Sequence, residues 1–459
     1  DVVFAEPNFI DYLTTVPNDP TYSLQWGLKN TGQAISYTNT VVGTPGADIN
    51  IEPAWTLHTG DENVIIAIID TGLDYLHPEF AGRVVPGYDI YNNDNDPMDD
   101  GNHGTACAGI AAASGNNGIG VAGVNWNCKI MPVKIFPAIG GTSTENVANG
   151  IIWAANNGAD VLSCSFGGSS ASDLRLNAVN YAYDLGCTII ASRGNANNSL
   201  ASYPASYSNV IAVGALSPCN DRKTPLTCDG ETSWGSSYGN DLDVMAPGTR
   251  IHTTDRLGSA GYSTTDYTAT FNGTSAACPF VAGVAALICS YAPNLSNAEI
   301  ADVLTMTAVD IATPGFDDQT GYGCVDAFAA LNLAAIAQKP EITVSTNIVS
   351  FSIYPDENDN EIITISNILG ADVLPLYWDI SYNSVSNPWL TLSKSSGRIL
   401  AGGSDQVQIN VNSFDMSDGD YSCTLDINSN DPDNPVVQVV VNLEVLYNPP
   451  PVAVISPPE

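Results

Sequence analysis

Short runs of branched apolar residues alternate with stretches of small residues along residues 63–337. The runs are rich in Val and Ile and are bounded by turn residues, which is the pattern of buried strands. Helical stretches lie between them, as at 104–113, 144–157 and 275–291. A strand followed by a helix, several times over, predicts an α/β fold: a central parallel sheet covered by helices on both faces. The strands are expected at 64–69, 130–135, 161–165, 188–191 and 210–213.

Beyond Pro340 the helical pattern ends and strand-like alternation takes over. Turn signals such as Asp418-Gly419 separate the runs. About a hundred residues of this pattern predict a small antiparallel β-sandwich. Its strands are expected at 342–344, 348–353, 361–365, 407–411, 421–427 and 436–445.

The chain is strongly acidic: 49 Asp and Glu residues against 13 Lys and Arg give a formal net charge of −36. This charge disfavours nucleic acid and anionic membranes as partners and favours divalent cations. A surface selected for solubility or for salt explains most of the acids equally well. The longest strongly apolar run, 276–289, is shorter than the roughly 20 residues of a membrane helix, so no membrane insertion is expected. Ten cysteines without metal-ligand spacing favour an oxidising compartment and therefore secretion.

Three polar residues stand in segments suited to catalysis. Asp70 ends an apolar strand, where a lone carboxylate is costly unless something donates to it. His103 lies between glycines at the start of a small-residue helix, and Ser275 begins another helix directly after a turn that Gly273 permits. Taken singly, such residues are more often structural. Taken together, in the order Asp, His, Ser, they indicate nucleophilic catalysis by serine.

The three segments, AIIDTGLD, HGTACAGIAA and GTSAACPFVAG, resemble the signature segments of the subtilisin-like serine peptidases, or subtilases. The resemblance covers roughly residues 19–337. It implies a three-layer subtilisin-like fold and a serine endopeptidase that acts on proteins or peptides. Ser275 would attack the peptide carbonyl, His103 would take its proton, and Asp70 would orient the imidazole. The segment ASRGNANN resembles the family's oxyanion-hole stretch, so that Asn195 would donate to the developing charge.

Two further segments resemble the strands with which the family binds extended peptides by strand addition. Such main-chain pairing implies broad specificity. The first pocket would be lined by 165–168 and part of 196–202, which carry no acid, so apolar or aromatic side chains are expected before the cut. The expected substrate-binding residues are Gly140, Gly141 and Thr142 on one side, and Ser165, Phe166, Gly167 and Gly168 on the other.

Two regions are candidates for calcium. The acidic loop ahead of His103 offers hard oxygen ligands and resembles a calcium loop of thermitase-like subtilases, although a solvated acidic loop is the alternative. Met98 stands there where an oxygen ligand is expected. The second region combines three separated stretches, with Glu in place of the family's more usual Asp in LHPEF. The expected ligands are Asp89, Asp94 and Asp96 in the first, and Asp19, Glu79, Asn117 and the carbonyls of Ser114, Ile119 and Val121 in the second.

The cysteines suggest two disulfides. Cys219 and Cys228 bracket a short loop and are the stronger pair, whereas Cys289 with Cys324 is the weaker. Cys107 and Cys278 are interpreted as small buried packing residues.

The ends of the chain add to the domain organisation. Residues 1–17 are similar to the end of a subtilase pro-region and form an extension or a remnant, followed by a catalytic domain over 18–338. Residues 339–447 resemble the immunoglobulin-like modules of secreted bacterial hydrolases, and 448–459 form a Pro-rich linker. The β-domain could bind a polymeric substrate or a cell surface through Trp378 and Trp389, although core packing is the better expectation for both.

Three functions remain open at this stage. The leading one is a secreted, calcium-stabilised serine endopeptidase that acts as a monomer. The second is a binding or adhesion protein on a catalytically silent subtilase fold, against which the complete set of four site residues argues. The third is an ester or lipid hydrolase, against which the nucleophile segment GTSAA argues, because it is no G-x-S-x-G elbow.

Overall fold

A computed structural model describes residues 15–35, 42–368, 370 and 372–447. Most of the expected N-terminal extension and the whole Pro-rich segment lie outside these residues. The chain forms two compact units that divide between Ala335 and Ile336.

The first unit is built on a seven-stranded sheet in which all neighbouring strands are parallel. Its order is β2-β3-β1-β4-β5-β6-β7. Four of these strands are buried along their whole length, which explains their unbroken apolar sequences. The strands are β1 (Ile65–Asp70), β2 (Tyr88–Asp89), β3 (Lys129–Lys134), β4 (Val161–Cys164), β5 (Thr188–Ser192), β6 (Ile211–Leu216) and β7 (Val244–Pro247), followed by the antiparallel pair β8 (Ile251–Thr254) and β9 (Tyr267–Phe271).

The described residues form seven α-helices. Helices α3 and α4 pack in one apolar cluster with side chains of β1, β3, β4 and β5. Helix α5 packs against α2 and also contacts β4, β5, β6 and β7. The α/β class expected from the sequence is confirmed. The helices are α1 (Ile51–Leu57), α2 (His103–Ala112), α3 (Thr144–Asn156), α4 (Asp173–Asp184), α5 (Thr274–Tyr291), α6 (Asn297–Met306) and α7 (Ala327–Ile336).

The second unit contains a four-stranded sheet, β10-β12-β16-β14, and a five-stranded sheet, β11-β18-β17-β13-β15. Most neighbouring strands are antiparallel as expected, but β11 runs parallel to β18. Trp378 and Trp389 are 3% and 7% exposed and belong to the core, so neither offers a binding face. The strands are β10 (Ile342–Val344), β11 (Ile348–Ile353), β12 (Asn358–Asn367), β13 (Leu376–Ser381), β14 (Leu390–Leu392), β15 (Ser396–Ile399), β16 (Ser404–Asn412), β17 (Gly419–Ser429) and β18 (Val436–Val445).

One of the two expected disulfides forms. Cys219 and Cys228 are bonded, which confirms the stronger pair. The pairing of Cys289 with Cys324 is wrong, because both are free thiols. Cys289 lies near the end of α5. Cys324 packs elsewhere, in an apolar cluster with Leu216 and Met245.

Helix α5 matches a membrane span in length and apolar character. Most of it is buried within the first unit, so the core of the fold accounts for its composition.

Candidate active site

Asp70 and His103 meet where the central strand β1 ends. The Asp70 carboxylate is 2% exposed and accepts a hydrogen bond from the Thr71 N–H at 2.7 Å. His103 opens α2, and its Nδ1 lies 2.8 and 2.9 Å from the two Asp70 oxygens. Helix α2 can start this close because residue 104 is glycine: a Cβ there would stand 2.0 Å from the Gly72 carbonyl oxygen.

This pairing sets the protonation of the imidazole. Burial alone would lower the pKa of His103, but the adjacent Asp70 carboxylate and, after it, Cys107 together outweigh burial and raise that pKa well above its ordinary value. The Phe271 ring stands edge-on to the imidazole, with centroids 5.2 Å apart. Asp70 therefore fixes the ring, and holds the proton on Nδ1 while Nε2 stays available to exchange one.

Ser275 is presented by the sharp turn before α5. Gly273 has φ 114°, a conformation that favours glycine, and the helix begins at the next residue. Ser275 Oγ donates to the Ser165 carbonyl at 3.0 Å. Cys107 Sγ lies 3.7 Å from His103 Nδ1 and 3.5 Å from the Ser275 carbonyl oxygen, so one side chain contacts both residues. The structure therefore brings the three sequence-predicted residues to one place.

The carbonyl of Ser275 has an unusual set of partners. Pro279 lies four residues further along α5 and has no N–H, so the helix cannot supply the usual donor to this carbonyl. Ser165 Oγ donates to it instead at 2.9 Å, and the Cys107 thiol supports it from α2. Cys107 is buried as expected, but its contact with the site could not be predicted, because the sequence does not show which residue of α2 lies against the Ser275 carbonyl.

Asn195 follows β5 and faces the turn before Ser275. Its side-chain oxygen accepts from the Thr274 N–H at 2.8 Å, which fixes the amide so that Nδ2 faces the other way. A Cβ added at Gly273 would stand 3.0 Å from Asn195 Nδ2 and 3.5 Å from the Ser275 nitrogen. Asn195 Nδ2 and the Ser275 nitrogen therefore both lie near the space that Gly273 leaves open.

Arg193 supports this segment and was not predicted. Its side chain is fully buried, and it pairs with Asp241 at 2.7 Å. It also donates to the carbonyls of Leu200 and Tyr238 at 2.8 and 3.1 Å. These bonds tie the loop that begins with Asn195 to the body of the unit. The only sign of this supporting role in the sequence was the position of Arg193, two residues before Asn195.

The predicted substrate-binding segments differ in how open they are. Gly140, with φ 107°, and Gly141 have no heavy atom within 4 Å of an added Cβ other than their chain neighbours. The next residue, Thr142, bonds the Ile135 carbonyl through its hydroxyl. Phe166 of the second segment stands edge-to-face with Phe136, which lies three residues before the first segment, 139–142, with the ring centroids 5.6 Å apart.

The predicted first pocket lies between two glycines. A Cβ at Gly167 would stand 2.3 Å from Ser202 Oγ, and one at Gly194 would stand 3.7 Å from the same oxygen. Gly168 pairs with Tyr203 in the following stretch, its N–H donating to the Tyr203 carbonyl at 3.0 Å. The Ser202 hydroxyl therefore lies near both glycines, with the Ser237 hydroxyl also near Gly194.

The second calcium candidate assembles at three loops. Asp19 is 5% exposed; one of its oxygens accepts from the Asn116 N–H at 2.6 Å, and the other meets no donor in the described part of the chain. Burial raises the pKa of Asp19 and of Glu79. Glu79 is fully buried, and accepts from the Asn117 amide at 2.8 Å and from the Val121 N–H and the Tyr267 hydroxyl at 3.0 Å. Sequence reasoning missed Tyr267, which reaches this site from β9.

This donor set fits a calcium ion at Asp19. A buried carboxylate oxygen that no protein donor reaches, such as the second oxygen of Asp19, is suited to a cation, and Ca²⁺ takes oxygen ligands. Among the described residues, no donor reaches the carbonyl oxygens of Ser114, Ile119 and Val121. Glu79, in contrast, is already held by three protein donors.

The acidic loop before His103 is organised by its own hydrogen bonds. Asp89 is 1% exposed and both its oxygens accept from Asn92, at 2.8 Å each. Asp94 and Asp96 are exposed, and accept from the N–H groups of Asp96 and Met98 at 2.8 and 3.2 Å. This loop leaves no buried oxygen without a donor in the described residues.

Asp99 in the same loop has a role that the sequence did not reveal. It is fully buried and accepts from Gly101, Asn102 and both donors of Thr105, at 2.6 to 2.9 Å. These bonds fix the turn that leads into His103.

The parallel sheet carries a buried Asp–His pair at its carboxyl edge. A serine at the start of a helix lies beside them, next to two N–H groups. This arrangement is that of the serine peptidase class. The sequence matches the model of the Subtilase family over residues 61–323, more than half of the chain. The chain therefore belongs to the subtilase family, as the sequence segments indicated, and is a serine endopeptidase by class.

Known relatives extend this match. The thermophilic serine proteinase of Bacillus sp. (strain AK1) is 38% identical over 331 residues, which are 72% of this chain and 73% of the relative. The calcium-dependent protease of Nostoc sp. (strain PCC 7120) is 33% identical over 418 residues, 81% of this chain and 60% of the relative. A solved protease structure from Pseudoalteromonas arctica PAMC 21717 superposes with a TM-score of 0.59 at 31% identity, covering 70% of this chain and all of that one.

Proposed function

We propose that the chain is a secreted serine endopeptidase that cleaves peptide bonds with Asp70, His103 and Ser275 through an acyl-enzyme. The observation that carries the proposal is the 2.8 Å contact of His103 Nδ1 with buried Asp70, beside Ser275. Cys107 contacts both His103 and Ser275, which supports their acting as one site.

In the first step, Ser275 Oγ forms a bond to the peptide carbonyl carbon while its proton passes to His103 Nε2. Asp70 stabilises the charged imidazole that results. The C–N bond then breaks, and His103 gives the proton to the leaving amine. Water attacks the remaining ester by the same route in reverse, which frees the acid and restores Ser275.

The carbonyl oxygen becomes negatively charged in this step. Asn195 Nδ2 and the Ser275 N–H would donate hydrogen bonds to this oxygen, because both nitrogens lie beside the space that Gly273 leaves open. The start of α5 adds the favourable end of the helix dipole.

Substrate would bind as an extended strand against the segments 139–142 and 165–168, with an apolar or aromatic side chain before the cut. No acidic side chain belongs to either segment or to 196–202, so Lys and Arg would lack a partner in the first pocket. The Ser202 hydroxyl adds one polar group to that pocket.

Calcium would be held by Asp19, Glu79, Asn117 and the carbonyls of Ser114, Ile119 and Val121. The ion would supply positive charge that offsets two buried carboxylates and ties three loops together. The relative named a calcium-dependent protease supports this assignment. Calcium at Asp89, Asp94 and Asp96 stays a prediction from the sequence resemblance.

The proposal is tested by casein and aromatic-peptide hydrolysis with wild-type protein and Ser275→Ala, both purified in calcium. We expect activity in the wild type and its loss in the variant, with circular dichroism unchanged. Equal rates in both proteins would refute Ser275 as the nucleophile. No activity in either would favour a silent binding protein.

A further inference from the structure

Arg175 is a buried cation without a counter-ion, next to the predicted substrate segments. It lies in the first turn of α4 and is 9% exposed. The three other buried cations of the described chain each have a carboxylate: Lys134 pairs with Asp100, Arg193 with Asp241 and Lys223 with Asp229. Within the described residues, no carboxylate lies within ion-pair distance of Arg175.

The hydrogen bonds of Arg175 leave much of its guanidinium unused. Nη1 donates to the Tyr203 carbonyl at 3.0 Å and Nη2 to Thr144 Oγ1 at 3.3 Å. Nε is buried and meets no acceptor in the described part of the molecule. A guanidinium has five N–H groups, and a buried charge satisfied only by neutral oxygens is costly unless an anion joins it.

The two partners of Arg175 belong to opposite sides of the predicted peptide groove. Thr144 follows the segment 139–142, and Tyr203 pairs with Gly168 of the other segment. A Cβ added at Gly168 would meet only Arg175 Nη1, at 3.8 Å, apart from its chain neighbours. The missing side chain of Gly168 thus leaves an opening that leads to the guanidinium.

We propose that Arg175 binds the carboxylate of a Glu or Asp side chain of the substrate, on the acyl side of the scissile bond. The inference rests on the proposed function, because it places the peptide along 165–168. The Ser165 carbonyl accepts from Ser275 Oγ, so this end of the segment adjoins the reacting atoms. Gly168 is three residues further along the chain, at most about 10 Å away. The acidic residue is therefore the third or fourth before the cut.

The overall charge of the protein makes this preference distinctive. A formal charge of −36 repels acidic peptides in general. A preference for Glu at one position, with Glu disfavoured elsewhere, is the effect expected of a local cation.

The test compares blocked peptide p-nitroanilides with a fixed aromatic residue at the bond and either Glu or Gln at the third or fourth position before it. At one of these positions we expect kcat/KM to be about 10-fold or more higher for the Glu peptide than for the Gln peptide. This is the effect of a single charge-assisted hydrogen bond. In Arg175→Met the ratio should fall to about one. Lys129→Met, which removes a cation that pairs with Glu62 at 3.3 Å, should leave the ratio unchanged.

Serine-directed titration with a fluorophosphonate counts the active enzyme in every sample. If Arg175→Met does not fold, Arg175→Lys decides, because it keeps the charge without the planar fork and should lower the ratio in part. A Glu-to-Gln ratio near one at both positions in the wild type overturns the subsite while the proposed function stands. A ratio that stays unchanged in Arg175→Met, or in a folded Arg175→Lys, overturns it in the same way. Failure to cleave any of the peptides overturns the proposed function and the subsite with it.

Discussion

Two regions of the first unit bury carboxylates in different ways. At the catalytic site, Asp70 is paired with His103 and bonded by Thr71, so the protein itself supplies what the charge needs. At the three-loop site, Asp19 is buried with one oxygen unpartnered in the described chain. The first region is complete without any added group, whereas the second leaves an oxygen for the calcium ion proposed above. Substitutions at the first region should therefore alter the rate of peptide hydrolysis. Substitutions at the second region should alter the stability of the fold.

The largest effect is expected from Asp70→Asn. Without the carboxylate, the imidazole loses its preferred tautomer and the support of its charged form, so kcat should fall about 10⁴-fold, as in other serine peptidases. Activity requires neutral His103 and is lost as the pH falls through its pKa. Because Asp70 raises that pKa, the residual activity of the variant should extend to lower pH. A pH–rate profile that does not move would contradict the account.

Asn195→Ala should have the next largest effect. The substitution removes the Nδ2 amide of Asn195, which lies near Gly273 and donates no hydrogen bond to the described residues. We expect kcat to fall about 10²–10³-fold with KM little changed. Steady-state kinetics on an aromatic peptide measure both constants. A variant that loses affinity but keeps kcat would show that Asn195 holds the ground-state substrate instead.

Calcium removal should separate the two regions. With calcium at about 100 times its Kd, binding stabilises the fold by about 2.7 kcal/mol, so excess chelator should lower the Tm by several degrees. Asp19→Ala should melt at the lower temperature with or without calcium. Calorimetry of the inactive Ser275→Ala background avoids self-digestion. A calcium-dependent Tm that survives Asp19→Ala would place the ion elsewhere.

The smallest effect is expected from Asp94→Asn. Asp94 is exposed, and its side-chain contact is a local one with the Asp96 N–H. The free energy of unfolding should change by no more than about 0.5 kcal/mol, and the calcium response should persist. Loss of that response in Asp94→Asn alone would reverse the comparison and make the acidic loop the stabilising site.

Local sequence predicts most of the architecture and the central residues of the site. Strand and helix patterns depend on neighbouring residues, and Asp70, His103 and Ser275 stand in segments specific enough to be recognised. Strands near the predicted positions appear in both units, whereas the helices named from the sequence were α2, α3 and α5 and did not include α1, α4, α6 or α7. The polar sequence of α4 shows little helical contrast.

Contacts between distant segments could not be predicted. Cys107 supports the Ser275 carbonyl across two helices, and Tyr267 reaches Glu79 from another strand. The pairing of Cys289 with Cys324 was wrong for the same reason: distance in space decides a disulfide, and cysteine spacing does not reveal it.

The central claim is that Ser275 is a nucleophile activated by the Asp70–His103 pair. The most direct measurement is labelling with a fluorophosphonate, followed by peptide mass mapping of wild type, His103→Ala and Ser275→Ala. The account predicts one adduct, on Ser275, whose formation slows by orders of magnitude in His103→Ala and is absent in Ser275→Ala. An adduct on another residue, or equal labelling rates in wild type and His103→Ala, would contradict it.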